Sequence, residues 1–127
     1  LAHVLEPLYG YLKLGSYLLN GKLKNLKNPN WNFGPYKRNC VKVSKIVKYI
    51  HKKLSIKNMI KIDKKINFKE ANLLSLKIDK AKKELQWQPK LTLKETINLT
   101  IDWYTSYFHK KNMSKITKSQ IEFFLSK

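Results

Sequence analysis

Thr92-Leu93-Lys94-Glu95 sets a threonine three residues ahead of a glutamate, at the head of an apolar repeat. The hydroxyl can accept from the N–H of residue 95, and the carboxylate can reach back to the N–H of residue 92. Two of the four unpaired donors at a helix start are then satisfied. This spacing predicts a helix to about Phe108, with Ile97, Ile101, Tyr104 and Phe108 on one face. Thr117-Lys118-Ser119-Gln120 repeats the device and predicts a short terminal helix carrying Ile121, Phe124 and Leu125.

The rest of the chain reads against these anchors. Leu5 to Asn20 has helical spacing, with Leu8, Tyr11, Leu12, Leu18 and Leu19 as its expected core face. Glu6 and Pro7 suit its first turn, Gly21 suits its stop, and Gly10 inside it permits close packing. Trp31-Asn32-Phe33-Gly34-Pro35 reads as a short strand, and Val41 and Val43 could extend a second. Val43, Ile46, Val47, Ile50 and Leu54 predict a helix over residues 43–54. Ile56 to Ile62 and Leu73 to Ile78 are candidate strands. Asp79 is placed to cap a short helix through Leu85, ended by Gln86-Trp87-Gln88-Pro89. The elements predict a mixed α/β fold, helix-rich with a few short strands, in a single domain over residues 1–127. The opening residues are already patterned and apolar, and Leu1 is not a methionine, so the sequence is expected to begin partway through something longer.

Composition excludes several classes. No apolar run approaches the roughly 20 residues of a membrane span, and the opening stretch lacks a signal-peptide pattern. The single cysteine, Cys40, rules out an internal disulfide framework and points to a reducing, cytoplasmic setting. The net charge of +19 invites a nucleic-acid partner. Yet 26 of the 27 basic residues are Lys, and Lys, Asn and Ile make up 48 of 127 residues. AT-rich codon usage accounts for that bias, and a dedicated nucleic-acid binder would use more Arg for bidentate contacts. The lysines also run the length of the chain instead of forming one block.

The residues show no catalytic apparatus of their own. The glycines at 10, 15, 21 and 34 form no phosphate-binding loop. His3, His51 and His109 are far apart, and no metal set is expected from them. Trp87, Trp103, Tyr104 and Tyr107 have the spacing of packing residues, not of a base-stacking platform. Glu70 stands out because acidic residues are scarce and it precedes a candidate strand.

Five blocks carry a family resemblance. They are the run from His3 through Glu6-Pro7 to Leu12; Trp31-Asn32-Phe33-Gly34-Pro35; and Glu70-Ala71 with Leu74, Leu76, Lys80-Ala81, Glu84-Leu85, Trp87 and Pro89. Leu93 to Tyr104 and Met113 to Ile121 complete the set. Together and in order, they resemble the CDP-glucose 4,6-dehydratases, extended short-chain dehydrogenase/reductase enzymes. The resemblance implies the C-terminal, substrate-binding lobe of such an enzyme, without its NAD-binding Rossmann domain. The family reaction converts CDP-glucose to CDP-4-keto-6-deoxyglucose and water, supplying deoxysugars for surface polysaccharides.

The implied partners are CDP-glucose and, for the parent enzyme, further copies of itself. NAD is the cofactor of the full-length enzyme and is not expected to bind this chain alone. The resemblance implies that His3 borders the nucleotide-sugar site, and Glu70 can accept hydrogen bonds from ribose hydroxyls. No catalytic residue is expected here. The sequence departs from the family pattern at Gln86, where a glycine is expected, at Lys69, where a histidine is expected, and at Lys77, where an aspartate is expected. Two alternatives stand beside this reading: a small basic nucleic-acid-binding protein, and a non-functional remnant of the dehydratase gene. In isolation such a lobe would lack the domain it normally packs against, and leftover apolar faces are expected to be exposed.

Overall fold

The computed structural model describes residues 1–23, 28–57 and 75–127. Its elements are α1 (Leu5–Leu19), a 3-10 turn (Lys37–Asn39), α2 (Val43–Lys53), α3 (Asp79–Leu85), α4 (Leu93–Phe108) and α5 (Met113–Leu125). The five helices fall where the spacing predicted helix, and among the described residues no strand forms. The expected strand Trp31–Pro35 is an extended segment without a ladder, as are residues 75–78, the described end of the expected strand Leu73–Ile78. The two segments still lie side by side. Asn32 Nδ2 donates to the Lys77 carbonyl (3.4 Å), and Gly34 lies against Leu76. Among the described residues no backbone–backbone hydrogen bond joins the two, so no ladder forms. Most of the expected strand Ile56–Ile62 lies outside the described residues, and Val43 opens α2 instead of ending a strand.

The best-closed part of the core is built from Ile78, Ala81, Leu85 and Trp87, with Tyr9, Leu14, Tyr17, Trp31, Phe33 and Tyr36 packed around them. Phe33 lies edge-on to both Trp87 (5.0 Å) and Tyr11 (5.5 Å). Its ring sits directly over Gly10, where a Cβ would come within 2.5 Å of it, so the glycine provides close packing as expected. Trp31 Nε1 donates to Glu84 (2.8 Å), which pins the 31–35 segment to α3. Gln86 ends α3 in the left-handed region at φ 50°, the position where the family pattern carries glycine.

The second half packs α4 against α5 and α2. The Thr92–Glu95 capping box forms as predicted. The second expected box does not. Helix α5 starts earlier, at Met113, and Asn112 caps it by accepting from Lys115 N (3.0 Å). Thr117 accepts from Trp103 Nε1 (3.1 Å) and Gln120 donates to the Leu99 carbonyl (2.8 Å). Both side chains therefore tie α5 to α4 instead of opening a helix.

Helix α1 reverses the sequence expectation most clearly. Gly21 ends it at φ 65°, as predicted. However, Leu8, Tyr11, Leu12, Leu18 and Leu19 are exposed, with Leu12 at 75% and Leu19 at 91%. The covered side carries Glu6, Tyr9, Gly10, Leu14 and Tyr17. Both sides are apolar, so periodicity alone cannot choose the one that faces the core.

Candidate functional site

The N-terminal residues and the helix pair α4/α5 enclose a cavity of about 390 Å³. Its walls include His3, Val4, Thr100, Trp103, Tyr104 and Gln120. Helix α4 sends Thr100, Trp103 and Tyr104 to one side of itself because they are three and four residues apart. The Thr100 hydroxyl donates to the Thr96 carbonyl (2.8 Å) and Trp103 Nε1 to Thr117, so the rim is ordered by bonds within the protein.

His3 is buried at the mouth of α1. Its Nδ1 accepts from the backbone N–H of Leu5 (3.3 Å), which assigns the ring proton to Nε2. Burial pushes its pKa below the usual histidine value. The ring is therefore neutral at physiological pH, and Nε2–H remains a donor. The other expected site residue, Glu70, lies outside the described residues.

Glu6 has a role the sequence reading missed. Expected to order the start of its own helix, it instead reaches across to residues 84 and 85 positions away. It is buried, and its Oε1 accepts from the N–H of Lys90 (2.9 Å) and of Leu91 (2.7 Å), while its own carbonyl accepts from Trp87 Nε1 (3.2 Å). Its Oε2 is buried without a partner. Burial raises its pKa, opposed in part by the two backbone donors and the Lys90 charge. Lys90 lies over the rings of Tyr9 (4.9 Å) and Phe124 (5.1 Å), which meet edge-on at 5.8 Å. This knot fixes the start of α1 against the segment between α3 and α4, and so fixes one wall of the His3 cavity. The scarcity of acidic residues was the available signal, and it pointed to Glu70 instead.

The expected packing aromatics divide. Trp87 is fully buried, and Trp103 stacks on Tyr107 at 5.8 Å, but Tyr104 and Tyr107 are exposed. His51 is half-buried on α2, and His109 is exposed. NAD does not fit the described residues. Its phosphates need a glycine-rich turn between a strand and a helix. Here Gly10 lies under Phe33, Gly21 ends α1 and Gly34 abuts Leu76. Among the described residues no helix is long and apolar enough to cross a membrane.

No family model and no solved structure matches the chain. A comparison with curated proteins finds the CDP-glucose 4,6-dehydratase of Salmonella typhimurium, 29% identical over 124 residues. The match takes in 98% of this chain and 34% of that enzyme, so the chain spans about a third of the length of the curated relative it matches. The ordered motifs and this likeness point to the same enzyme: nearly every residue of the chain aligns with a part of a CDP-glucose 4,6-dehydratase.

Proposed function

We propose that this chain is the nucleotide-sugar-holding, C-terminal part of a CDP-glucose 4,6-dehydratase. The carrying observation is the likeness to the Salmonella enzyme across 98% of the chain. The His3 cavity supports it. At about 390 Å³ it lies in the size range of small-ligand sites. Its buried neutral imidazole holds one N–H free to donate to a ligand oxygen. In this reading His3 fixes the sugar nucleotide, and Glu70 accepts from the ribose hydroxyls. The NAD-dependent chemistry belongs to a companion domain, in keeping with the lack of fit to NAD above. The working enzyme is a cytoplasmic homo-oligomer.

Calorimetric titration with CDP-glucose tests the binding claim. Saturable binding weakened at least tenfold by His3→Ala is expected, and binding indifferent to His3 would remove the site. The chain supplied with CDP-glucose and NAD should form no 4-keto product. Turnover by these 127 residues alone would overturn the partial-enzyme reading. The charge of +19 favours the nucleic-acid alternative. That alternative requires saturable binding to a defined nucleic acid, falling steeply with salt.

A further inference from the structure

The end of α2 gathers positive charge that plays no part in the His3 cavity. Residues 37–57 hold eight basic residues and no acidic one. AT-rich codon usage accounts for lysine in place of arginine; it does not account for where the carboxylates are missing. At about 100° per residue, Lys48, His51 and Lys52 share an arc of about 100°. Tyr49 and Lys53 lie on another side, where they bond Asn98 (3.0 Å) and Asp102 (3.1 Å) of α4. The arc therefore faces away from α4. Lys48 and Lys52 are exposed, and none of the ion pairs among the described residues includes either. Like charges four residues apart on a helix repel. A helix C-terminus attracts cations, which suits Lys52 in the last turn but not Lys48 before it.

The chain then turns back over these residues. The N–H of Ile56 donates to the His51 carbonyl (3.0 Å) and that of Ser55 to the Lys52 carbonyl (3.4 Å), a closure that usually sets glycine at its left-handed position. Here serine takes that position, at φ 53°. The turn adds a hydroxyl and a further ammonium group to an open pocket of about 440 Å³, lined by Lys48, His51, Lys52, Ser55, Ile56 and Lys57. No carboxylate is among these residues to hold a metal ion, and no phenol or indole to stack a base. His51 gives an independent sign. Its Nδ1 is buried and has no hydrogen-bond partner among the described residues. Buried polar atoms are rarely left so. An anion in the pocket would give the ring an acceptor and cancel the repulsion between the lysines.

We propose that the C-terminal end of α2 is a binding site for a multiply charged phosphate group, distinct from the sugar-nucleotide site. Lys48, Lys52 and Lys57 neutralise the charge, and the Ser55 hydroxyl and the His51 ring donate to the oxygens. Isothermal titration of the chain with inorganic pyrophosphate tests this. Saturable one-to-one binding is expected, weakened at least tenfold by Lys48→Gln/Lys52→Gln with the circular dichroism unchanged. Lys115→Gln/Lys118→Gln removes the same charge from exposed positions on α5 and should weaken binding by no more than about twofold. His3→Ala should leave the affinity for pyrophosphate unchanged.

Three results would overturn the proposal: no saturable binding at millimolar pyrophosphate, equal weakening by the two lysine pairs, or loss of binding with His3→Ala. The second would reduce the effect to net charge, and the third would move the anion into the His3 cavity. Vesicles of phosphatidic acid in phosphatidylcholine identify the source of the phosphate. Co-sedimentation abolished by Lys48→Gln/Lys52→Gln assigns the site to a lipid headgroup. Pyrophosphate binding without vesicle capture assigns it to a free phosphate.

Discussion

The surroundings of Trp87 and the outer arc of α1 are made of the same residue types and differ in every other respect. Around Trp87, aromatic rings meet edge to face, a glycine admits a ring, and each indole N–H reaches an oxygen. Along the outer arc of α1, Leu8, Leu12, Leu18 and Leu19 stand exposed. Composition therefore does not decide which apolar residues form a core. Partners do, and the partners of Trp87 come from three separate stretches of this chain. The contrast also locates the stability of the isolated chain on one side of α1.

The strongest way to break the contrast is Trp87→Ala. Loss of a fully buried indole should cost about 3–5 kcal/mol, read as a fall in the urea midpoint, whereas Leu12→Ala should change stability by less than about 0.5 kcal/mol. Equal effects would make the contrast meaningless. Next comes Glu6. Removing its carboxylate with Glu6→Ala leaves the N–H groups of Lys90 and Leu91 unpaired and should cost about 2–4 kcal/mol. Glu6→Gln keeps a carbonyl oxygen for both donors and should recover most of that loss.

Thr92→Ala removes half of the capping box and should cost about 1 kcal/mol. Gln86→Gly, at φ 50°, should stabilise by about 0.5 kcal/mol, because the left-handed strain exceeds the added freedom of the unfolded chain. Acid titration gives the smallest signals. Hydrogen bonding to Lys127, then the Thr92 N–H, holds Glu95 at about 2 against an ordinary 4.5. The stability it contributes is complete above pH 4.5 and disappears as pH falls toward about 2, and Glu95→Gln should flatten that limb. His3, with its pKa lowered, subtracts stability as pH falls below 6.5, because the unfolded chain takes up the proton first. His3→Gln should remove that slope.

What was legible in the sequence follows the range of the interaction. The Thr92–Glu95 box and the Gly21 stop involve neighbours a few residues apart, and both stand as read. Thr117 and Gln120 have the same spacing as a box but spend their side chains on α4, which no local pattern reveals. Trp31 to Pro35 has strand composition without a strand partner among the described residues. The Glu6 clamp was illegible because its partners lie 84 and 85 residues away. His3 became a candidate through family resemblance, which no local pattern shows; it lies buried in the wall of a cavity.

The distance spanned by Glu6 also has a consequence for synthesis. Helix α1 leaves the ribosome ahead of its tethers at Trp87, Lys90 and Leu91, which follow more than 80 residues later. At bacterial to eukaryotic elongation rates that interval is roughly 4–17 s, far longer than helix formation or collapse. For those seconds the side of α1 that carries Glu6 is bare, so the nascent chain offers a chaperone an adhesive segment until the tethers arrive.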